Sequence, residues 1–333
     1  MKNRPFSPDS FWNTPIPANP EIDDKSESFI KLLGTTVSEK RAVYVNSTKW
    51  TIPVYWVRSS QVPMVQVFPL KVRDSHRGFA PNFDGWAPIP PEAKPDSEED
   101  SHMCIIDEDK DIVYDFFCIR YKDGKILTRS AITYPLYGSG VFDKIPFKFE
   151  PGTSVHDYGP CRAAGTALLG GLVLQEEITS GKIEHKIALA TDLNEHQKFV
   201  FPAIWTDGFT QGGLPEGAVV QLDPKLNLDK FDLCPAARTL AVAMQKYGMV
   251  NVDVAGGICI YVENLNFNSK KNWKGIIDSG WILEKLGLEH LRVIKIKDLR
   301  DGGLKRTKHV WNQKPPAPDN NINSAASIGN SKN

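Results

Sequence analysis

A mostly β fold, an antiparallel sandwich or jelly roll with a few short helices, is what this sequence predicts. Twenty-four prolines and 25 glycines are spread through its 333 residues. Between them lie short runs rich in Val, Ile, Phe and Tyr, the pattern of many strands joined by turns. No self-similarity at a period of about 20 to 50 residues accompanies the pattern, so neither a propeller nor a solenoid is indicated. The length suits one large domain over 1–312, or two closely packed lobes. The remainder, 313–333, is rich in Pro, Asn and Ser with almost no large apolar residue, and is expected to be a disordered tail.

Taken in order, strands are expected at 42–45, 52–57, 65–70, 103–106, 112–120, 125–132, 183–190, 199–204, 218–222, 249–254, 258–262 and 292–297. Three stretches read as helices. The first, 26–33, puts Phe29, Leu32 and Leu33 on one face. The second, 162–178, is interrupted by Gly170 and Gly171. The third has Pro235 in its first turn, Ala237, Leu240, Ala241 and Met244 at helical spacing, and Gly248 as terminator. Tyr247 and Gly248 then form a corner into the next strand. The Pro-rich, acidic stretch 82–100 is expected as a long loop lying over a cleft.

Charge excludes several functions. Lys plus Arg equals Asp plus Glu at 40 each, which leaves no basic field for nucleic acid or an anionic membrane. The five cysteines, Cys104, Cys118, Cys161, Cys234 and Cys259, are never spaced as CxxC, so zinc-ribbon and thioredoxin-like readings fail. No window approaches ~18 apolar residues, and no spanning helix is expected. Met1 to Asp9 is polar with two prolines and lacks the apolar stretch of a signal peptide. A cytoplasmic location is the default expectation, or a secreted one if a leader has been removed. GxGxxG after a strand, GxxxxGK[ST], HExxH and GxSxG are all missing, and no cofactor is expected.

Candidate chemistry gathers at a few places. A hairpin over 100–118, with its turn centred between Glu108 and Asp109, would set Ile106 opposite Asp111, Cys104 opposite Val113 and His102 opposite Asp115. Asp115 shares a strand face with Val113, Phe117 and Ile119, where a carboxylate is costly unless paired. His102 would supply that pairing, either as a structural hydrogen bond or as an oriented acid or base. His185 falls on the apolar face of 183–190, either as a satisfied core histidine or as a cleft residue. The segment 201–208 delivers Trp205 and Asp207 to a strand end, and 155–162 delivers His156, Asp157, Tyr158 and Arg162 to a helix start. An arginine there opposes the helix dipole and calls for a carboxylate partner or an anionic ligand. Trp12, Trp86, Trp205, Trp273 and Trp311 lie in polar or Pro-rich loops, where flat rings could stack on sugars.

The stretches 10–17, 101–103, 159–165, 169–172 and 245–250 resemble those of a group of bacterial, often exported, β-rich proteins, with similarity up to about Leu299. The group is similar in overall style to polysaccharide-acting enzymes, which implies carbohydrate chemistry; the polar N-terminus departs from its exported character. The expectation is a carbohydrate-active enzyme with His102, Asp115, His185 and Asp207 as catalytic candidates and Arg162, Trp12, Trp205, Tyr158 and Tyr247 as substrate-binding ones. A glycoside hydrolase would draw two carboxylates from Asp115, Asp207, Asp157 and Asp253. A polysaccharide lyase would use His102 or His185 as base, Tyr158 or Tyr247 as acid, and Arg162 against a uronate carboxylate. Hydrolysis is favoured. The alternatives are a non-catalytic carbohydrate-binding or structural surface protein, and a metal site built from His102, Asp115, His185 and Asp207. The partner expected is a carbohydrate, with no nucleic acid and no membrane.

Overall fold

Apolar runs of three to six residues, cut by proline and glycine, form strands too short to bury their faces alone, so they stack as layers. The computed structural model describes residues 4–37, 40–70, 79–143 and 160–303. One layer is a six-stranded sheet in the order Tyr44–Asn46, Cys259–Tyr261, Ile187–Thr191, Met249–Val254, Val219–Leu222, Leu291–Val293. The second is a four-stranded sheet in the order Val54–Val57, Met103–Asp107, Ile112–Phe117, Ser130–Pro135. A third joins Trp86–Ala87, Val65–Pro69, Lys125–Thr128 and Arg120–Lys122. A small sheet of Leu214–Glu216, Asn194–Phe199 and Arg300–Asp301 completes the strands. The β-rich fold with a few short helices is as the sequence predicts, and its sheets are mixed. Ile187–Thr191 runs parallel to Met249–Val254, and Val54–Val57 runs parallel to Met103–Asp107.

Three apolar clusters hold the layers together. Helices Ser26–Leu33, Gln175–Ser180 and Pro235–Lys246 cover one face of the six-stranded sheet, placing Phe29, Leu33, Ile178, Leu240 and Met244 against Ile187, Leu189 and Ile260. Its other face, through Ala188, Ala190, Val250, Val252 and Tyr261, meets Cys104, Ile106, Val113, Ile132 and Tyr134 of the four-stranded sheet. The far face of that sheet presents Met103, Ile105, Phe116 and Ala131 to Val67, Phe83 and Ile89. Met103–Asp107 is therefore buried along its whole length, which is why it reads as an unbroken apolar run.

The helix expected over 162–178 exists only as Gln175–Ser180. The residues before it form successive turns that lie directly on the six-stranded sheet: Ala164 N donates to Val252 O (3.1 Å), Ala188 N to Gly171 O (2.8 Å) and Val173 N to Tyr261 O (3.1 Å). A helix cannot give its amides and carbonyls away in this manner. The strand expected at 199–204 ends at Phe199 instead, before Pro202, which has no N–H to give a ladder. The tail over 313–333 lies outside the described residues.

Gly171 shows how close the approach is. Its φ is +74°, and a Cβ there would stand 2.3 Å from Ala188 N. Gly181 has nearly the same φ, +73°, with nothing within 4 Å of its Cβ position. Gly181→Ala should therefore cost about 1–2 kcal/mol from backbone strain alone, and Gly171→Ala at least about 3 kcal/mol because the backbone must also move. Urea denaturation of the two variants measures the difference.

Candidate functional site

The hairpin over 103–117 forms, with a register two residues away from the expected one. Cys104 pairs with Asp115 and Ile106 with Val113, so His102 does not face Asp115. The turn is centred one residue later because Asp107 Oδ1 accepts from Asp109 N (3.1 Å), and Asp111 takes a left-handed φ of 53°. The two-residue shift is even, so every side chain keeps its face. His102 instead tilts against Phe117, ring centroids 5.4 Å apart, and Nε2–H donates to the Cys161 carbonyl at 3.0 Å. Burial, reinforced by the Arg162 charge, pulls its pKa down to about 4 against the Cys161 bond and Asp96. The ring is neutral at neutral pH.

Asp115 is wholly buried and held from several sides. Leu168 N donates to Oδ2 at 2.7 Å, and Tyr134 Oη lies 2.9 and 3.0 Å from the two carboxyl oxygens. The Cys104 thiol donates as well. Burial raises its pKa to about 7, opposed by these bonds and by Arg162. All of these partners are interior, which makes Asp115 a fastening for the Leu168 turn.

That turn carries Arg162. The side chain is 2% exposed, its Nη2 donates to Leu168 O at 2.8 Å, and its guanidinium lies 4.8 Å from the Tyr261 ring centroid. Nε and Nη1 have no acceptor among the described residues. Beyond Arg162 stands a group of carboxyls. Asp253 lies one residue before the end of the strand Met249–Val254, just after a bulge, where Leu189 pairs with Asn251 and Ala190 with Asp253; a bulge re-aims the side chains that follow it. Asp207 lies on the loop whose Ile204 N donates to Ala164 O (3.0 Å), two residues from Arg162. Glu216 ends Leu214–Glu216.

Asn194 ties the group together. Its Nδ2 donates to Glu216 Oε1 (3.1 Å) and to the Asp253 carbonyl (2.7 Å), while its Oδ1 accepts from Asn251 Nδ2 (2.9 Å). Asp207 N donates to Glu216 Oε2 at 3.3 Å. Burial, then the Asp207 charge and that of Asp253, holds the Glu216 carboxyl well above the usual range. Asp253 is raised likewise by burial and by Asp207 and Asp100, with Arg162 opposing. By residue, Asp253 and Trp205 are half-buried, whereas Asp207, Glu216 and Arg162 are buried. Among the described residues no group of three or more His, Cys, Asp or Glu is arranged to hold a metal ion.

The remaining candidates lie elsewhere. His185 precedes its strand, which begins at Ile187. Nε2 meets Glu177 at 3.1 Å and Nδ1 meets the Lys186 carbonyl at 2.7 Å, and these partners keep it apart from His102, Asp115 and Asp207. Both ring nitrogens face acceptors, an arrangement that favours the protonated ring beside Glu177. Trp12 is not an exposed platform: it is 0% exposed and its Nε1–H donates to Gly140 O at 2.8 Å. Tyr247 is buried at the helix end, and Trp273 is buried too. Tyr158, His156, Asp157 and Trp311 lie outside the described residues. Sequence reading missed Glu216 and Asn194; Glu216 was signalled as the one charged residue within the run 213–222.

His185 yields a pH test. Burial lowers its pKa, but the Glu177 charge, the bond to it and the Lys186 carbonyl outweigh burial and raise it above 6.5. The pair thus stabilises the fold fully below about pH 6.5, and the contribution is lost as pH rises through the raised value. Wild type should lose stability relative to Glu177→Gln as pH rises above about 6.5 through the raised His185 value, a difference read from paired urea titrations.

A comparison with protein-family models, curated proteins and solved structures finds no match to this chain.

Proposed function

We propose that this protein is a carbohydrate-active enzyme, a glycoside hydrolase whose carboxyl pair is Asp253 and Asp207. The observation that carries the reading is Asp253: half-buried, at a bulged strand end, and held above the usual carboxylate range beside a second acid. Such a carboxyl holds its proton more tightly than an ordinary one and can deliver it to a departing oxygen. In the reaction Asp253 protonates the glycosidic oxygen as the bond from C1 breaks. Asp207 in its anionic form either takes a proton from the water that attacks C1 or attacks C1 itself, followed by hydrolysis of the ester. The Asn194 amide fixes Glu216 and the Asp253 backbone, so both carboxyls are positioned before substrate arrives. Half-buried Trp205, two residues from Asp207, offers a face to a sugar ring.

The test is hydrolysis of a panel of neutral and uronate-containing polysaccharides by wild type, Asp253→Asn and Asp207→Asn. New reducing ends without the absorbance of unsaturated products are expected, with losses of about 10³-fold or more in each variant while the circular dichroism melt persists. Because the acid acts protonated, kcat/KM should fall as pH rises through the raised Asp253 value, above the ordinary carboxylate range. Unsaturated products would replace hydrolysis by elimination. No product would remove the enzyme reading and leave a carbohydrate-binding protein, and product that neither substitution reduces would remove Asp253 and Asp207 as the catalytic pair.

A further inference from the structure

Arg162 has a place in the fold that its partners among the described residues do not explain. A buried guanidinium carries five N–H donors and a charge it cannot shed. Leaving such a group without acceptors is strongly destabilising. The described residues give Arg162 one carbonyl, Leu168 O at 2.8 Å, and nothing at Nε or Nη1. Its plane is nonetheless fixed, by that bond and by the Tyr261 ring 4.8 Å away. Its charge is felt at Asp253, the most open of the three carboxyls.

We infer that the glycan taken by this site bears a carboxylate, a uronic acid residue, and that Arg162 is the group that pairs with it. The inference rests on the hydrolase reading of Asp253 and Asp207. The Glu216 and Asp253 carboxyls are both held above the usual carboxylate range, which lessens the negative charge already set against Arg162. A carboxylate also matches the planar guanidinium edge. The sugar carboxylate would supply the acceptors that the fold withholds, and in doing so set the glycosidic oxygen against Asp253.

The experiment compares homopolymers of galacturonate, glucuronate and mannuronate with the same polymers after reduction of their carboxyl groups to alcohols, and with a sulfated galactan. Cleavage and calorimetric binding are both read on the unaltered protein, so the result does not depend on a buried variant folding. A uronate polymer should be cleaved with kcat/KM about 10²-fold or more above its reduced form, and Arg162→Lys should raise KM more than it lowers kcat. Equal cleavage of the reduced form, or preference for the sulfated galactan, overturns the uronate inference and leaves hydrolysis standing. Binding of a uronate polymer and not its reduced form, without cleavage, keeps the inference and removes hydrolysis. Neither binding nor cleavage of any uronate polymer overturns it outright.

Discussion

The hydrogen bond from Leu168 N to Asp115 is the fastening on which the rest of the site depends. Asp115 belongs to the four-stranded sheet, and the 160–173 turns lie on the six-stranded one, so this bond crosses the shared core of the two layers. A buried carboxyl could not sit there unpaired. The amide it captures is therefore withdrawn from any helix, and the chain is forced into turns. Those turns then donate and accept along the central strands at Val252, Ala188 and Tyr261. Arg162 is placed by the same device, since the carbonyl it bonds belongs to the residue whose amide Asp115 holds.

From there the carboxyl group assembles without direct charge pairing. Ala164 is bonded on one side to Val252, beside Asp253, and on the other to Ile204, on the loop that leads to Asp207. A neutral amide, Asn194, does the bridging between Glu216 and Asp253. An amide holds geometry while lending no positive charge, and the bonds that lower Glu216, from Thr206 and the Asp207 amide, are outweighed by burial and the neighbouring acids. Arg162 opposes the rise at Asp253 without cancelling it.

Local rules made much of this legible. Ser26–Leu33 has the bounds expected from its apolar face, Pro235–Lys246 begins at its proline, and Met249–Val254 matches to the residue. The faces of the 103–117 hairpin followed from alternation, while its register turned on one carboxylate, Asp107, capping the turn. Misreadings came where a tertiary partner overrode a local pattern. The 162–178 stretch has helical composition, but Asp115 takes an amide and the sheet takes the carbonyl of Gly171. Trp12 has loop-like neighbours, yet Asn13 Nδ2 bonds to the carbonyls of Pro5, Phe6 and Ser7 and folds the segment over, so the indole turns inward to Gly140. Glu216 carried a signal, and its convergence with Asp253 did not, because 37 residues separate them (253 − 216).

Burial alone does not separate structural ionisable groups from chemical ones; the count and kind of partners does. His102 and His185 are both buried, and burial pushes both toward the neutral form. His185 meets a carboxylate and is raised, whereas His102 meets a carbonyl and the field of Arg162 and falls to about 4. The acids divide in the same way. Asp115 receives a backbone amide, a phenol and a thiol, which spend its lone pairs inside the fold. Asp253 has an amide bond from its neighbour Val254 and otherwise feels Asp207, Asp100 and, opposing them, Arg162, and as a residue it is half-buried. A carboxyl whose oxygens are all bonded within the fold serves the fold, while one raised by neighbouring acids and left with few bonds is the better candidate for chemistry. That contrast, more than residue type or position in the sheet, is what makes Asp253 the centre of the chemistry and Asp115 its support.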